Sequence, residues 1–254
     1  MCTSKQLRWT VLLATLTLCT QLAHATVPAD LRVLDDEVTE AGETEFEFIS
    51  TAARSPNKSL DRGTAYTSLA EISYGVAQNW ELSLQLPAAR MNDGWQTTGA
   101  TLELQYVAPH NPERGFYWGG RTELGRDLGT DNDDPATWEW EMRSILGYRI
   151  DQWQGILNPG ITMPVGGSTR RVDFSPSAEL SYQVTRENSL GLEYYVDAGP
   201  LSQPLPSNRR QTFGVLVFDT HVGESDFQLG IGRGMNAVSE STLLKLRFSI
   251  PLND

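Results

Sequence analysis

From Gly42 onward the chain alternates apolar and polar side chains in segments of roughly ten residues, the period of a β-strand with one wet and one apolar face. Twelve such segments can be read, at approximately 43–52, 64–76, 80–90, 97–107, 115–126, 137–150, 153–164, 172–184, 189–198, 211–220, 226–234 and 241–251. In the third, Trp80, Leu82, Leu84 and Leu86 share one face and Glu81, Ser83 and Gln85 the other. The last sets Leu244, Leu246, Phe248 and Ile250 against Lys245, Arg247 and Ser249. The tenth is ambiguous, because Phe213, Val215 and Val217 compete with Leu216 and Phe218 for the apolar face. An even number of strands of this length predicts an all-β fold, a transmembrane antiparallel up-and-down barrel, since a sheet in hydrocarbon has to close to leave no unpaired edge.

The connections alternate in length, as they do in such barrels. Ala77-Gln78-Asn79, Asp151-Gln152, Thr185 to Asn188 and His221 to Ser225 are short turns, assigned to the periplasmic side. Arg54 to Gly63, Asp127 to Ala136 and Gly199 to Arg210 are longer, rich in Pro, Asn, Asp and Ser, and are assigned to the outside. Pro109 to Arg114 falls on the short side without being very short.

Alternation alone also fits a soluble sandwich or a lipocalin-like barrel turned inside out, so the aromatic positions decide. Tyr74, Trp80, Tyr106, Phe116, Tyr148, Trp153, Tyr182, Phe227 and Phe248 all lie on the apolar parity near the periplasmic strand ends. That is the pattern of an interfacial girdle, where amphipathic rings sit at headgroup level. Trp138, Trp140 and Phe174 begin a second girdle at the other end.

The N-terminus sets the compartment. Lys5 and Arg8, the apolar run Val11 to Cys19 and the small residues of Ala23-His24-Ala25 read as a signal peptide cleaved after Ala25. The run is shorter than the roughly 20 residues a spanning helix needs, and the bulky Leu18 before Cys19 argues against a lipoprotein leader. Cleavage leaves 229 of the 254 residues and removes both cysteines. Two of the 20 basic residues and none of the 32 acidic ones go with the leader, so the net charge moves from −12 to −14. That balance opposes nucleic acid as a partner. Three regions result: leader 1–25, a periplasmic N-terminal segment 26–42, and a barrel 43–254.

The polar parity collects charge. Glu71, Glu81, Glu103, Glu123, Glu139, Glu141, Asp173, Glu179, Glu193 and Asp197 are expected to line the lumen with Arg121, Arg143, Lys245 and Arg247, since charges cannot face lipid cheaply. Two readings stay open: an acidic pore favouring cations or neutral solutes, and a Glu–Arg network that fills a non-conducting barrel. The segment around Asp35-Asp36-Glu37 is either solvated or folded up into the lumen as a plug. An enzyme is the weakest reading, because His24 leaves with the leader while His110 and His221 sit in periplasmic turns, away from an outer-leaflet Ser-His site. The acidic loop Asp127 to Asp134 lacks the glycine and terminal glutamate of an EF-hand and reads as solvated, though a divalent bridge to lipopolysaccharide suits its place. No cofactor or metal is expected. The expected partners are outer-membrane lipid and lipopolysaccharide of a Gram-negative cell, a small-molecule solute and the barrel-assembly machinery, with the protein a monomer.

Two stretches carry a family resemblance. Leu34 to Glu47 (LDDEVTEAGETEFE) and Ser73 to Pro87 (SYGVAQNWELSLQLP) resemble the acidic lead-in, first strand and first periplasmic hairpin of outer-membrane transporters grouped with the phenol-degradation meta-pathway family. Together they cover roughly an eighth of the chain. The resemblance implies an outer-membrane barrel that passes small, often hydrophobic compounds, and it implies no catalytic residues. The chain departs from the usual aromatic last residue of such barrels: Phe248 is followed by Ser249-Ile250-Pro251-Leu252-Asn253-Asp254.

Overall fold

The computed structural model describes residues 28–54, 64–91, 94–128, 136–166, 171–239 and 241–252. The expected leader (1–25), most of the loop Arg54 to Gly63 and most of the acidic loop lie outside them. Every regular element among the described residues is a strand. They are β1 (Thr44–Arg54), β2 (Thr64–Ala77), β3 (Trp80–Met91), β4 (Gly94–Thr97), β5 (Gly99–Val107), β6 (Gly115–Asp127), β7 (Thr137–Ile150), β8 (Trp153–Asn158), β9 (Gly160–Val165), β10 (Asp173–Phe174), β11 (Ser177–Gln183), β12 (Asn188–Asp197), β13 (Gln211–Val222), β14 (Ser225–Gly234) and β15 (Thr242–Pro251).

Antiparallel neighbours run round the sheet in chain order, and β1 pairs with β15 to close it. Three staves of the barrel are each made of two strands, β4 with β5, β8 with β9 and β10 with β11, so fifteen strands make a closed twelve-stave barrel. Two of the breaks coincide with prolines, which have no N–H to give a ladder. Pro159 separates β8 from β9 and still accepts from Ser144 N at 3.0 Å; Pro176 separates β10 from β11 and accepts from Val196 N at 3.0 Å. The third break is at Thr98, whose N–H bonds Pro87 O at 2.9 Å.

Two short turns rest on left-handed residues, Asn79 (φ 68°) and Asp151 (φ 52°), residue types whose short polar side chains tolerate that region.

Parity assigns the faces. Leu82, Leu84, Leu102, Leu192, Leu216, Leu229 and Leu244 are exposed on the outside, whereas Glu71, Glu103, Glu193 and Lys245 are buried inside. An exposed apolar surface of this extent would be a liability in water and is what lipid requires. In β13 the inner wall takes Phe213, Val215 and Val217, each 3% exposed or less, and Leu216 and Phe218 face out.

At the short-turn end Tyr74, Trp80, Phe116, Tyr148, Trp153 and Phe227 are exposed, while Tyr106, Tyr182 and Phe248 are half-buried. Neighbouring rings touch, Trp80 with Tyr106 at 4.6 Å and Trp153 with Tyr182 at 4.9 Å between centroids. The opposite end carries Trp95 and Trp138 with Tyr66, and Arg126 lies 5.8 Å from the Trp138 ring.

The chain before β1 is not outside the barrel. It turns under the short-turn end at Gly42 (φ +91°), where Gly42 N donates to Gly75 O at 2.8 Å and Gly75 N donates to Glu43 O at 3.1 Å. Gly75 is required there, because a Cβ would sit 2.0 Å from the Glu40 carbonyl oxygen. From that corner residues 39 back to 28 climb through the lumen. Sequence placed the segment at 26–42 on the periplasmic side with the plug as its alternative; the structure holds its described part inside, because the walls match it residue by residue.

Candidate functional site

The lumen is where the chemistry-bearing side chains converge. Register sets Glu47 of β1 opposite Glu71 of β2, Glu71 opposite Gln85 of β3, Ser83 opposite Glu103 of β5, and Glu103 opposite Glu123 of β6. Farther round, Arg121 faces Arg143 and Glu123 faces Glu141. Like charges directly opposite one another are destabilising, so this acidic belt needs cations.

The N-terminal segment supplies the central one. The Arg32 guanidinium lies 2.5 Å from Glu47 through Nη1, 2.6 Å from Glu71 and 3.6 Å from Glu103 through Nη2, and 2.9 Å from Asp30 through Nε. Gln85 Nε2 donates to Glu71 at 3.1 Å and to Glu103 at 2.5 Å, which fixes both carboxylates. Arg121 bridges Asp30 (2.8 Å), Glu103 (3.3 Å) and Glu123 (2.7 Å), and Arg247 holds the other oxygen of Glu47 at 2.5 Å. Burial alone would raise the Asp30 carboxyl, but Arg32 and Arg121 outweigh it and hold it at about 2. The same carboxylates hold the Arg32 guanidinium well above its ordinary value against the opposing effect of burial.

Below this cage the segment is tied strand by strand. Leu34 N donates to Asn158 Oδ1 at 2.8 Å, and Asn158 Nδ2 donates back to Leu34 O at 2.9 Å. Asp36 accepts two bonds of 2.9 Å from Arg149 and lies 2.6 Å from His110 Nε2. Thr39 donates through N and Oγ1 to Glu81 at 2.7 and 2.6 Å. Its apolar residues Leu31, Val33 and Leu34 pack in one cluster with Tyr117, Ile145, Ile156, Tyr195, Phe213, Val215, Val217 and Leu243. The lumen is therefore two-sided, with a carboxylate wall over β1 to β6 and an apolar wall centred on β13.

Three cavities flank the segment: about 370 Å³ toward the long-loop end beside Pro28 and Asp30, about 350 Å³ beside Arg32 and Glu47, and about 810 Å³ open to the short-turn end. In the last, Glu37 is exposed and stands against Asp35; that repulsion, with partial enclosure, pushes its carboxyl up to about 8.

The other charged positions named from sequence divide by depth. Glu71, Glu81, Glu103, Arg121, Glu193 and Lys245 are buried. Glu123, Glu141, Arg143, Asp173, Glu179 and Arg247 are half-buried, and Glu139 and Asp197 are exposed at the long-loop rim. Lys245 and Glu193 form an enclosed pair at 2.6 Å, to which Tyr195 Oη donates at 2.8 Å. Sequence reading put Gln85 on the polar face without giving it a role, and missed Arg32, Glu47, Arg149 and Asn158. One signal was present: Arg32 is the single cation between Thr26 and Ala41.

No family model matches the chain, and no curated protein sequence resembles it. Solved structures do. An outer-membrane channel of the COG4313 group from Pseudomonas putida F1 superposes with a TM-score of 0.61 at 16% identity, covering 88% of this chain and 100% of that one. The KdgM porin gives 0.57 at 11%, with 82% and 99% covered, and the NanC porin 0.52 at 9%, with 81% and 97% covered. At these identities the likeness establishes the fold alone: the chain folds as a closed twelve-stave antiparallel β-barrel, as those outer-membrane proteins do.

Proposed function

We propose that the protein is an outer-membrane passive channel for small solutes, its lumen occupied at rest by its own N-terminal segment. The observation that carries this reading is the two-sided lumen with cavities at both ends and, between them, a peptide held by side-chain contacts and not paired into the sheet. A solute gradient would drive passage, and no cofactor is needed. The apolar wall of Phe213, Val215 and Val217 favours solutes with a hydrophobic or aromatic part, in keeping with the resemblance noted from sequence. The carboxylates favour cations or neutral molecules over anions. An outer-leaflet Ser–His hydrolase does not fit this reading, because His110 and His221 both lie at the short-turn end, beside Asp36 and Asp226.

Planar-bilayer recording tests this. The intact protein should give small steps, and deletion of residues 28–39 should enlarge them severalfold with a preference for cations. Glu139→Gln with Glu141→Gln should weaken that preference. A second reading, a non-conducting structural barrel, is favoured by the enclosed Lys245–Glu193–Tyr195 cluster. The absence of single-channel steps in both the intact and the deleted protein would decide for it.

A further inference from the structure

We infer that the inner wall of β1, β2 and β5 carries a receptor for one guanidinium or amidinium cation, formed by Glu47, Glu71 and Glu103, and that Arg32 occupies it as a tethered ligand. The inference concerns the wall alone, and it holds whether or not the barrel conducts.

Three observations carry it. First, the receptor is built from the wall, not from the segment. Glu47, Glu71 and Glu103 are each 4% exposed or less, and the Gln85 amide and the Ser73 hydroxyl, which donates to Glu71 at 3.1 Å, orient two of the carboxylates without neutralising them. Second, a planar cation is seated there, with separate edges of the guanidinium on Glu47 and Glu71, the fork geometry for which guanidinium is suited and a spherical ammonium is not. Third, the charge does not balance without it. Were residues 28–39 withdrawn, Arg32 and Asp30 would leave together, and Glu47, Glu71, Glu103 and Glu123 would face only Arg121 and Arg247 among the described residues near them. Glu71 would keep no cation at all within ion-pair distance. Where the rest of the segment stays in place, as in Arg32→Ala, these carboxylates remain enclosed, and enclosed carboxylates without a cation are strongly disfavoured, so the site takes one from outside. A solute bearing a guanidinium or amidinium group, and of a size to pass the vestibule, has the chemistry to take the place of Arg32.

Calorimetric titration of the detergent-solubilised barrel with propylguanidinium at constant ionic strength tests the assignment, with closure of each variant checked by its gel migration before and after heating. Arg32→Ala should bind one propylguanidinium about tenfold or more tighter than the intact protein, in which the tethered group competes. Adding Glu71→Gln to Arg32→Ala should remove most of that gain. Tetramethylammonium, which cannot donate hydrogen bonds, should not compete. Equal affinity in intact and Arg32→Ala protein, no saturable binding to Arg32→Ala, or tighter binding of calcium than of propylguanidinium would each overturn the proposal. If Arg32→Ala fails to close, closure restored by millimolar propylguanidinium but not by tetramethylammonium supports it, and failure under both conditions counts against it.

Discussion

Lys245 and Glu193 show what single residues contribute inside this barrel. Both side chains are fully enclosed, and removing one partner leaves the other charged and unpaired, which costs about 3–5 kcal/mol. Lys245→Met should therefore lower the temperature at which the heat-modified gel form appears. Lys245→Met combined with Glu193→Leu should recover most of the loss, because no orphan charge remains. Gly147 poses a steric case. The Tyr117 ring lies across it, with Cζ 1.9 Å from where a Cβ would be, and Tyr117 accepts a bond from Gln154 at 2.6 Å. Gly147→Ala has to push the ring away, at a cost of about 1–3 kcal/mol. Tyr117→Phe loses only the hydrogen bond, about 1 kcal/mol. The same melting assay should order them, with Gly147→Ala the more damaging.

At the scale of elements, the strands and the lumen segment differ in how they are held. The staves are fixed by backbone ladders, broken only at Thr98, Pro159 and Pro176 among the described residues, whereas the segment is held by side-chain contacts and one buried apolar face, so it is the part that conditions can shift. Its carboxyls set the sign. Glu37 is raised to about 8 when docked, so docking is fully favoured below its ordinary value of 4.5 and is weakened as pH rises toward about 8. Solvent at Glu37 screens part of that effect. Asp30 is lowered to about 2, so its contribution is present above 3.8 and is lost as pH falls toward about 2. The segment should dock best between these limits. The mature chain has no cysteine of its own if the leader is cleaved as expected, so Val33→Cys offers a single reporter inside the lumen. Its labelling by a water-soluble maleimide, corrected for the reagent's own pH dependence, should be faster at pH 9 than at pH 6. Equal corrected rates would show that Glu37 and Asp35 do not bias docking.

The whole molecule is defined by an inversion of the usual order, with apolar side chains outside and ions within. Trp80, Trp118, Trp138 and Trp153 all lie exposed on the outer surface. Lipids brominated along the acyl chain should quench most of the tryptophan emission of the reconstituted protein, whereas acrylamide in the aqueous phase should quench little of it. The reverse result would mean that the outer surface does not meet lipid.

Much of this was legible in the chain. The twelve alternating segments, their short turns and the aromatic ring at one end follow from local chemistry, because side-chain parity in a strand has period two and needs no knowledge of partners. The splits at Pro159 and Pro176 were less legible, since a proline ends a ladder only where its missing N–H would have been needed. The direction of Phe213, Val215 and Val217 was undecidable locally, because both faces of β13 are apolar; the register of the closed sheet settles it, setting Val215 opposite the inward Glu193.

Sequence by itself thus determined the all-β barrel class and the strand parity outside β13, because alternation depends on neighbours one or two positions away. Only the tertiary structure decided what fills the bore. Arg32 meets Glu47 and Glu71 across 15 and 39 residues, and Leu34 meets Asn158 across 124. Such pairings arise when the sheet closes and brings distant walls within reach, and no periodicity along the chain encodes them.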